Sequence, residues 1–357
     1  MRRSIPPWTI AAPLIGCLLI PAGTDGPLLV WLIGAVLVAS VVAAVHHAET
    51  VAHRVGEPFG TLLLALAVTV IEAGLIVTLM QAGGPETATL ARDTVFAAVM
   101  IILNLLIGAF LLLGSLRHGE QRFRQTGVSA TLATIGAITI LTLVLPNYTV
   151  SAPGPVYAPA QLGFVALVSL LLYLTFVRVQ TVAHRDYFLP AGDEARQPAA
   201  HAAPPSVVVA RRAAALLVLC LFAVVLLAKN LAPPIEDAVG AAGAPKALVG
   251  IIIAGLVLLP EGLAAIRAAR ANRLQTSLNL GLGSALATIG LTIPAVAVFA
   301  LATGLPLALG LDGKGTVLLL LTLFTASLSL GTGRTTMLQG IIHLVIFAVY
   351  LFTTVVP

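Results

Sequence analysis

The sequence predicts an all-α polytopic membrane protein, and three observations lead to this prediction. Hydrophobic residues make up 59% of the 357 residues and charged residues only 9%, whereas a soluble domain holds about 45–50% and about 25%. The mean hydropathy is +1.05. The apolar residues also fall into long runs, and a helix needs about 20 of them to cross the hydrocarbon core. This composition excludes soluble enzymes, secreted disulfide scaffolds, disordered proteins and nucleic-acid binders.

Eleven apolar segments are predicted to cross the membrane as helices. The uncharged run from Gln125 to Val177 is divided at PNYTVSAPGPVYAP, because Pro and Gly mark a loop. The run that begins at Leu274 is one long helix followed by a loop around Gly304–Gly310. The predicted spans are 8–23, 27–47, 60–82, 94–115, 128–146, 160–178, 212–232, 247–266, 276–302, 315–331 and 336–355.

The basic residues predict how these spans are oriented. With the N-terminus in the cytoplasm, 15 of the 19 Lys and Arg residues fall on the cytoplasmic side, as the positive-inside rule expects. The remaining basic residues, on the outer side, are Arg92, Lys229, Lys246 and Lys314. The C-terminus is then predicted on the side of the membrane opposite the cytoplasm.

The order of the spans predicts two halves that enter the membrane in opposite directions. Residues 1–26 form a cytoplasmic tip and one extra helix, and 27–178 hold five spans. A Pro- and Ala-rich cytoplasmic linker follows over 179–211, and 212–357 hold five more. Because five is odd, the second set is inverted relative to the first, which is the layout of an inverted-repeat transporter.

Two acidic residues lie within the predicted spans, Glu72 and Glu261. A carboxylate at membrane depth costs about 2.5–3.5 kcal/mol on insertion scales, so it indicates a functional site. Each lies in the second helix of its five-span unit, so inverted symmetry is expected to bring the two together near the midplane. The alternative is that each glutamate caps or hydrogen-bonds a neighbouring helix.

Two neighbouring carboxylates favour cation/proton exchange. They cannot both ionise cheaply, so either protons or a divalent cation must neutralise them. Ca²⁺ takes 6–8 oxygen ligands, so other residues must contribute. Pro260 and Pro294 are expected to free backbone carbonyls one turn earlier. Candidate side-chain ligands are Thr69, Asn104, Ser284 and Thr288. Asn104 is the strongest of them, because small hydroxyl residues within spans more commonly pack helices together.

At these positions the chain resembles the Ca²⁺/cation antiporter superfamily, in its cation/proton exchanger branch with the bacterial ChaA-type Ca²⁺(Na⁺)/H⁺ antiporters. The resemblance is carried by GEPFGTLLLALAVTVIEAGLIV (56–77), by Asn104, and by PEGLAAIRAARANRLQTSLNLGLGSALATIGLTIP (260–294). It implies that Glu72 and Glu261 carry the cation and the protons. It also implies a transporter that is not an enzyme and has no cofactor, whose partners are inorganic cations, protons and the lipid bilayer.

The chain departs from the wider pattern of this superfamily in ways that leave the transported ion open. It has VTVIE and LLPEG where relatives have GNATE and GNAAEH. Relatives carry an acidic residue early in the first helix of each repeat. Glu49 matches the first, whereas Lys229 stands at the second, either as a tethered cation or as a snorkelling lysine. We expect Ca²⁺/H⁺ exchange, with Na⁺ or K⁺ in exchange for protons as the alternative.

Two other function classes and one regulatory role stay open. A cation channel would also need intramembrane carboxylates, and an intramembrane hydrolase could use Ser284 with His343 as its base. The histidines are predicted on or toward the cytoplasmic side, as interfacial residues or as a pH sensor. They are His46, His47, His53, His118, His184, His201 and His343.

Overall fold

The computed structural model describes residues 5–24, 26–56, 59–190, 205–243, 245 and 247–356, and the side chains of 59–65 and 260 lie outside this description. The chain forms two compact units. Unit 1 comprises Met1–Gly83 and Ala200–Val249, and unit 2 comprises Gly84–Ala199 and Gly250–Pro357. Each unit therefore draws helices from both halves of the chain.

Unit 1 is built from four apolar helices, three of which begin at a proline or at a serine cap. They are α1 (Pro7–Leu19), α2 (Pro27–Val55), α3 (Phe59–Gly83) and α8 (Val207–Ala241). Proline suits the first helical position because its missing N–H has no partner there. The Ser206 hydroxyl accepts a hydrogen bond from the Val209 N–H and so begins α8. A Cβ on Gly16 would lie 2.9 Å from Leu227, so α1 and α8 pack closely.

Unit 2 holds the remaining helices, and π-helical turns interrupt two of its spans. Its helices are α4 (Leu90–Met100), α5 (Ile107–His118), α6 (Gln125–Leu143), α7 (Pro159–Arg178), α9 (Ala247–Arg270), α10 (Leu274–Ala287), α11 (Ile293–Thr303), α12 (Gly313–Leu330) and α13 (Met337–Val355). The π segments are π1 (Ile101–Leu106), π2 (Val179–Ala183) and π3 (Thr288–Thr292). Two short strands, β1 (Gln121–Arg122) and β2 (Arg334–Thr335), pair antiparallel.

One end of unit 2 collects basic residues. The pairing of β1 with β2 joins the loop after α5 to the loop before α13. His118 Nε2 lies 3.0 Å from the Arg270 carbonyl, and the Arg124 N–H donates to Gln275 Oε1 at 2.7 Å. These contacts gather the chain segments that carry Arg117, Arg122, Arg124, Arg267, Arg270, Arg273 and Arg334. All of them belong to the predicted cytoplasmic set.

The opposite end of unit 2 holds few basic groups. Its chain segments are joined by hydrogen bonds from side chains to backbone carbonyls. Arg92 Nη1 donates to the Gly310 carbonyl at 3.1 Å, and Asn147 Nδ2 donates to the Leu311 carbonyl at 2.6 Å. The Tyr157 hydroxyl donates to the Leu141 carbonyl at 2.5 Å. Burial raises the pKa of Tyr157 to about 12, so its hydroxyl stays a donor at neutral pH. Arg92 belongs to the predicted outer set.

The described residues contain nine helices that are long and apolar enough to span a membrane, or ten if the bent α9 counts as one span. Pro7–Ala22 is a shorter apolar helix. This confirms an all-α polytopic membrane protein. Two helices extend beyond the predicted spans, because α2 continues past 47 to Val55 and α8 runs from Val207 to Ala241. Hydropathy ends a span at the first charges, whereas the helix continues beyond them.

Part of the predicted linker over 179–211 is folded. Residues 179–188 form π2 and a short 3₁₀ turn (Arg185–Phe188), and Phe188 is buried with its carbonyl accepting from Asn279 Nδ2 at 2.6 Å. Residues 207–211 belong to α8. The middle of the linker, 191–204, which includes Arg196 and His201, lies outside the described residues, as do Arg2, Arg3 and Lys246.

Candidate functional site

Glu261 lies at a break in α9. The two parts of this helix, Ala247–Leu259 and Glu261–Arg270, meet at an angle of 55°. Proline lacks an N–H and its ring clashes with the preceding turn, so a bend is expected at Pro260. Glu261 is the first residue after the bend and is half-buried.

Ser284 on α10 is in direct contact with Glu261. Its hydroxyl donates a short hydrogen bond to Glu261 Oε2. Ser284 is 9% exposed, so a buried hydroxyl stabilises the charge of the carboxylate where little water reaches it. The structure thus brings together two of the residues that the sequence singled out.

Asn104 lies in π1 at the same depth as Glu261. A Cβ on Gly255 would lie 3.9 Å from Ile101, and one on Gly262 would lie 2.8 Å from Leu106. The later residue of α9 meets the later residue of π1, so the two segments run parallel. Glu261, which precedes Gly262, therefore lies level with the turn that contains Asn104.

The Asn104 side chain is fully buried and is held by two helices. Its Nδ2 donates to Thr322 Oγ1 on α12 at 2.9 Å, and its Oδ1 lies 3.4 Å from His343 Nδ1 on α13. His343 Nε2 in turn lies 2.7 Å from Ser329 Oγ. Asn104, Thr322 and His343 are all 0% exposed. The amide that was predicted as a cation ligand is therefore part of a buried polar network.

Two of the histidines are buried within the protein. His343 and His47 are both 0% exposed. His47 Nε2 lies 3.1 Å from the Thr9 carbonyl within unit 1. The sequence indicates how far along a helix each histidine lies, but not whether its side chain faces neighbouring helices.

A close contact between two glycines places His343 beside Asn104. A Cβ on Gly340 would lie 2.9 Å from the Gly108 carbonyl oxygen and 2.6 Å from the Leu112 backbone nitrogen. Glycine lets two helix backbones approach this closely. Gly108 follows Asn104 by one turn, and His343 follows Gly340 by one turn, so the approach of α5 and α13 brings the two polar side chains together.

Gly340→Ala is expected to destabilise the protein, because the added methyl group meets backbone atoms that cannot rotate away. Overpacking of this kind costs about 1–3 kcal/mol. A lower thermal unfolding midpoint of the purified protein in detergent would show it. The matched change Gly136→Ala in α6 meets only Leu323, at 4.0 Å, and should leave the midpoint unchanged or raise it. Equal midpoints for the two variants would contradict the close approach.

Thr288 lies in π3 and is 2% exposed. π-helical turns within α-helices are rare and occur often at functional sites. The span that follows Glu72 carries π1 around Asn104, and the span that follows Glu261 carries π3 at Thr288. Sequence reasoning missed both turns. Pro294, just after π3, is the only local signal that pointed to one of them.

In unit 1, Glu72 and Thr69 are buried on α3. Glu72 is 2% exposed and Thr69 is 5% exposed. Residues three apart in a helix lie on the same face, so carboxylate and hydroxyl share one buried side of α3. A Cβ on Gly74 would lie 3.2 Å from Val225, which places α8 against the next part of the same helix.

The two secondary candidates are exposed. Glu49 lies in the last two turns of α2, not early in that helix as the resemblance implied. Lys229 lies within α8. Neither side chain is buried as Glu72 is.

The hydrolase interpretation paired the wrong residues. The Ser284 hydroxyl is bonded to Glu261, and His343 is bonded to Ser329 instead. The order of the contacts is that of a nucleophile, a base and an orienting group, with Ser329 first, His343 second and Asn104 third. Ser329 is only 6% exposed, however, and its hydroxyl lies 2.7 Å from the Thr325 carbonyl of its own helix. It offers no accessible nucleophile.

Apolar spanning helices with buried carboxylate, amide and hydroxyl groups define a polytopic transport protein for small ions. The family model of the sodium/calcium exchanger protein matches residues 26–182 and 212–356. The chain therefore belongs to the sodium/calcium exchanger family, and its resemblance to the cation/proton exchanger branch is confirmed.

Two curated relatives match nearly the whole chain. A protein of Sinorhizobium fredii, y4hA, whose name calls it an ionic transporter, is 48% identical over 99% of this chain and 97% of its own length. The sodium-potassium/proton antiporter ChaA of Escherichia coli is 36% identical over 89% of this chain and 86% of its own length.

Two solved structures share the fold. The H⁺/Ca²⁺ exchanger CAX superposes with a TM-score of 0.73 at 16% identity, over 96% of this chain and 86% of that one. The Ca²⁺/H⁺ antiporter protein YfkE gives a TM-score of 0.73 at 15% identity, over 98% of both chains. At this identity the likeness shows the fold alone.

Proposed function

We propose that this protein is a secondary active antiporter that exchanges Ca²⁺ for protons, with Glu72 and Glu261 binding the cation or protons in alternation at the membrane midplane. Membership of the exchanger family supports the class of activity. The hydrogen bond from Ser284 to Glu261 is the observation that carries the assignment of the site. It places a second hard oxygen beside a carboxylate at the bend of a spanning helix.

The proposed chemistry is competition for the same oxygen atoms. A protonated carboxyl group is neutral and has lost the charge that attracts a cation, so protons and Ca²⁺ exclude each other. The remaining ligands are proposed to be the oxygens of Asn104, Ser284, Thr288 and Thr69, together with backbone carbonyls. Ca²⁺ accepts such a mixed set of 6–8 oxygens. The transported ion is the substrate, and no cofactor is proposed.

The proposed cycle is driven by the proton gradient. On the outer side, protons displace the cation from the glutamates, and the neutral site is carried to the cytoplasmic side. The higher pH there removes the protons and the cation binds again. The membrane potential contributes about 2.3 kcal/mol per charge per 100 mV only if the cycle moves net positive charge inward.

We propose eleven membrane crossings, with one extra N-terminal helix before two inverted five-helix repeats (27–178 and 212–357). The placement of π1 and π3 in the helices that follow the two glutamate helices supports this symmetry. Glu49 and Lys229 are proposed as secondary residues at equivalent helices of the two repeats.

The proposed location is the bacterial inner membrane, with the N-terminus in the cytoplasm and the C-terminus in the periplasm. The cluster of arginines at one end of unit 2 supports this orientation, because cytoplasmic loops carry the excess of Lys and Arg. The partners are inorganic cations, protons and the lipid bilayer.

Everted membrane vesicles test the function directly. An acid-inside pH gradient is imposed, Ca²⁺ is added, and collapse of the gradient is followed with a fluorescent dye. The proposal expects collapse that depends on both the protein and the cation. A Ca²⁺ current without proton movement would instead indicate a channel, and no response to any cation would overturn the proposal.

The specific alternative is a Na⁺(K⁺)/H⁺ antiporter without physiological Ca²⁺ transport. The name of the Escherichia coli relative, a sodium-potassium/proton antiporter, favours it. The same vesicles given Na⁺, K⁺, Mg²⁺ and Ca²⁺ in turn distinguish the two. A response to Na⁺ and K⁺ but not to Ca²⁺ would replace the first proposal with this one.

Ser284→Ala is expected to raise the cation concentration that gives half-maximal exchange by about tenfold to a hundredfold, since a hydrogen bond to a charged group contributes about 1.5–3 kcal/mol. Ser277→Ala is the matched control, because Ser277 is 0% exposed on the same helix but donates to the Ala265 carbonyl. It should leave the half-maximal concentration within about twofold. Equal shifts in the two variants would refute a role for the Ser284–Glu261 contact.

A further inference from the structure

His343 is a buried histidine that the proposed exchange chemistry does not use. It lies on α13 and is 0% exposed, and both of its ring nitrogens face polar side chains. Nε2 lies 2.7 Å from Ser329 Oγ, and Nδ1 lies 3.4 Å from Asn104 Oδ1.

The amide oxygen of Asn104 is the atom that lies opposite Nδ1 of His343. An oxygen at this place requires the neutral imidazole to carry its proton on Nδ1, and Nε2 is then an acceptor. In this tautomer the Ser329 hydroxyl, which lies 2.7 Å from both Nε2 and the Thr325 carbonyl, donates to Nε2. An N–H donor at this place requires the amide oxygen, not the amide nitrogen, opposite it. The imidazole therefore distinguishes the two ends of the amide.

The other neighbours of the Asn104 amide do not make this distinction. Thr322 Oγ1, 2.9 Å from Nδ2, is a hydroxyl that can either accept from an amide nitrogen or donate to an amide oxygen. Met100 Sδ, 3.7 Å from Nδ2, is only a weak acceptor. Without His343 the amide could rotate by half a turn and still keep a partner at Thr322.

We propose that His343 is a positioning residue that holds the oxygen of Asn104 in the orientation a cation ligand needs. Oδ1 has two lone pairs, and His343 uses one of them, so one stays free to accept a hard cation. A rotated amide would present its NH₂ group instead, which repels a cation. The inference rests on the proposed function and adds a residue that orients one of its proposed cation ligands.

Three substitutions of His343 separate this role from simple packing. His343→Asn places an amide N–H near the position of Nδ1 and keeps a donor for Asn104. His343→Gln extends one methylene further, reaches toward Ser329 and loses that donor. His343→Leu removes both contacts. All are compared in the vesicle assay for the half-maximal cation concentration and for the maximal rate.

His343→Asn is expected to keep the half-maximal cation concentration within about threefold of the wild type. His343→Gln and His343→Leu are expected to raise it by about tenfold, which is the effect of one lost hydrogen bond. The maximal rate should change less than the half-maximal concentration. The matched control is His47→Leu, which removes an equally buried imidazole bonded to a backbone carbonyl of α1. It should lower thermal stability without moving the half-maximal concentration.

A binding measurement keeps this inference separate from the proposed transport activity. Each purified variant is heated in detergent with increasing Ca²⁺ or Na⁺, and the rise of the unfolding midpoint reports binding. The inference is supported if the cation still stabilises the His343→Asn variant but no longer stabilises the His343→Gln variant, even if no exchange is seen. If the cation raises the unfolding midpoint of the His343→Asn and His343→Gln variants equally, the positioning role of His343 is overturned and the exchange proposal is unaffected. The absence of both binding and exchange in the wild type overturns both.

Discussion

Glu261→Gln is expected to reduce cation-dependent collapse of the pH gradient to the background of vesicles without the protein. Glutamine has the size of glutamic acid but neither ionises nor carries a transferable proton. The Ser284 hydroxyl can still donate to its amide oxygen, so the local structure is retained. The loss should therefore be in transport, while the amount of protein in the membrane and its thermal midpoint stay close to those of the wild type.

Glu120→Gln is the matched control in unit 2. The Glu120 side chain is 45% exposed and forms ion pairs with Arg122 at 3.8 Å and Arg334 at 3.4 Å. Exposed ion pairs contribute about 0–1 kcal/mol, so this variant should transport normally. Retained exchange in Glu261→Gln would falsify the role assigned to this carboxylate.

Glu72→Gln is expected to abolish exchange to the same extent, because the proposal requires a titrating group from each half of the chain. Glu72 is 2% exposed, and glutamine keeps the size of its side chain and one of its oxygens. The variant should therefore fold close to the wild type while losing transport. Exchange rates and thermal midpoints measured on the same preparation would separate these two effects.

Glu236→Gln serves as the control for Glu72 in unit 1, since Glu236 is an exposed carboxylate on α8. It should leave the exchange rate unchanged. If Glu72→Gln kept exchange while Glu261→Gln lost it, a single carboxylate would carry the chemistry and the paired mechanism would be wrong.

Much of the fold follows from hydropathy and from breaker residues. The loop predicted at PNYTVSAPGPVYAP is present between Leu143 and Pro159, because four prolines and a glycine within this segment prevent a helix from continuing there. The bend of α9 at Pro260 follows from the same property of proline. The buried positions of Glu72 and Ser284 agree with the expectation that polar groups in spans avoid lipid.

The features that the sequence did not reveal depend on packing between distant segments. Nothing in IILNLL distinguishes a π turn from an α turn, since the same residues favour either and the neighbouring helices decide. The burial of His343 could not be predicted, because periodicity does not show that Gly108 and Gly340, 232 positions apart in the chain, lie in contact. Polar networks across helices cannot be derived from a single helix.

The π turn at Ile101–Leu106 makes the length of this span as important as its composition. Each residue of an α-helix advances the chain by about 100° around the axis. A π turn closes its hydrogen bonds over one residue more than an α turn does, so losing that extra residue would return the turn to α-helix and keep Gly108 on the face that meets Gly340. Deleting one residue from α4 before the turn would instead rotate that face by about 100°. Chains that share this architecture should therefore tolerate a gap of a single position within the π turn better than one in the α-helix beside it.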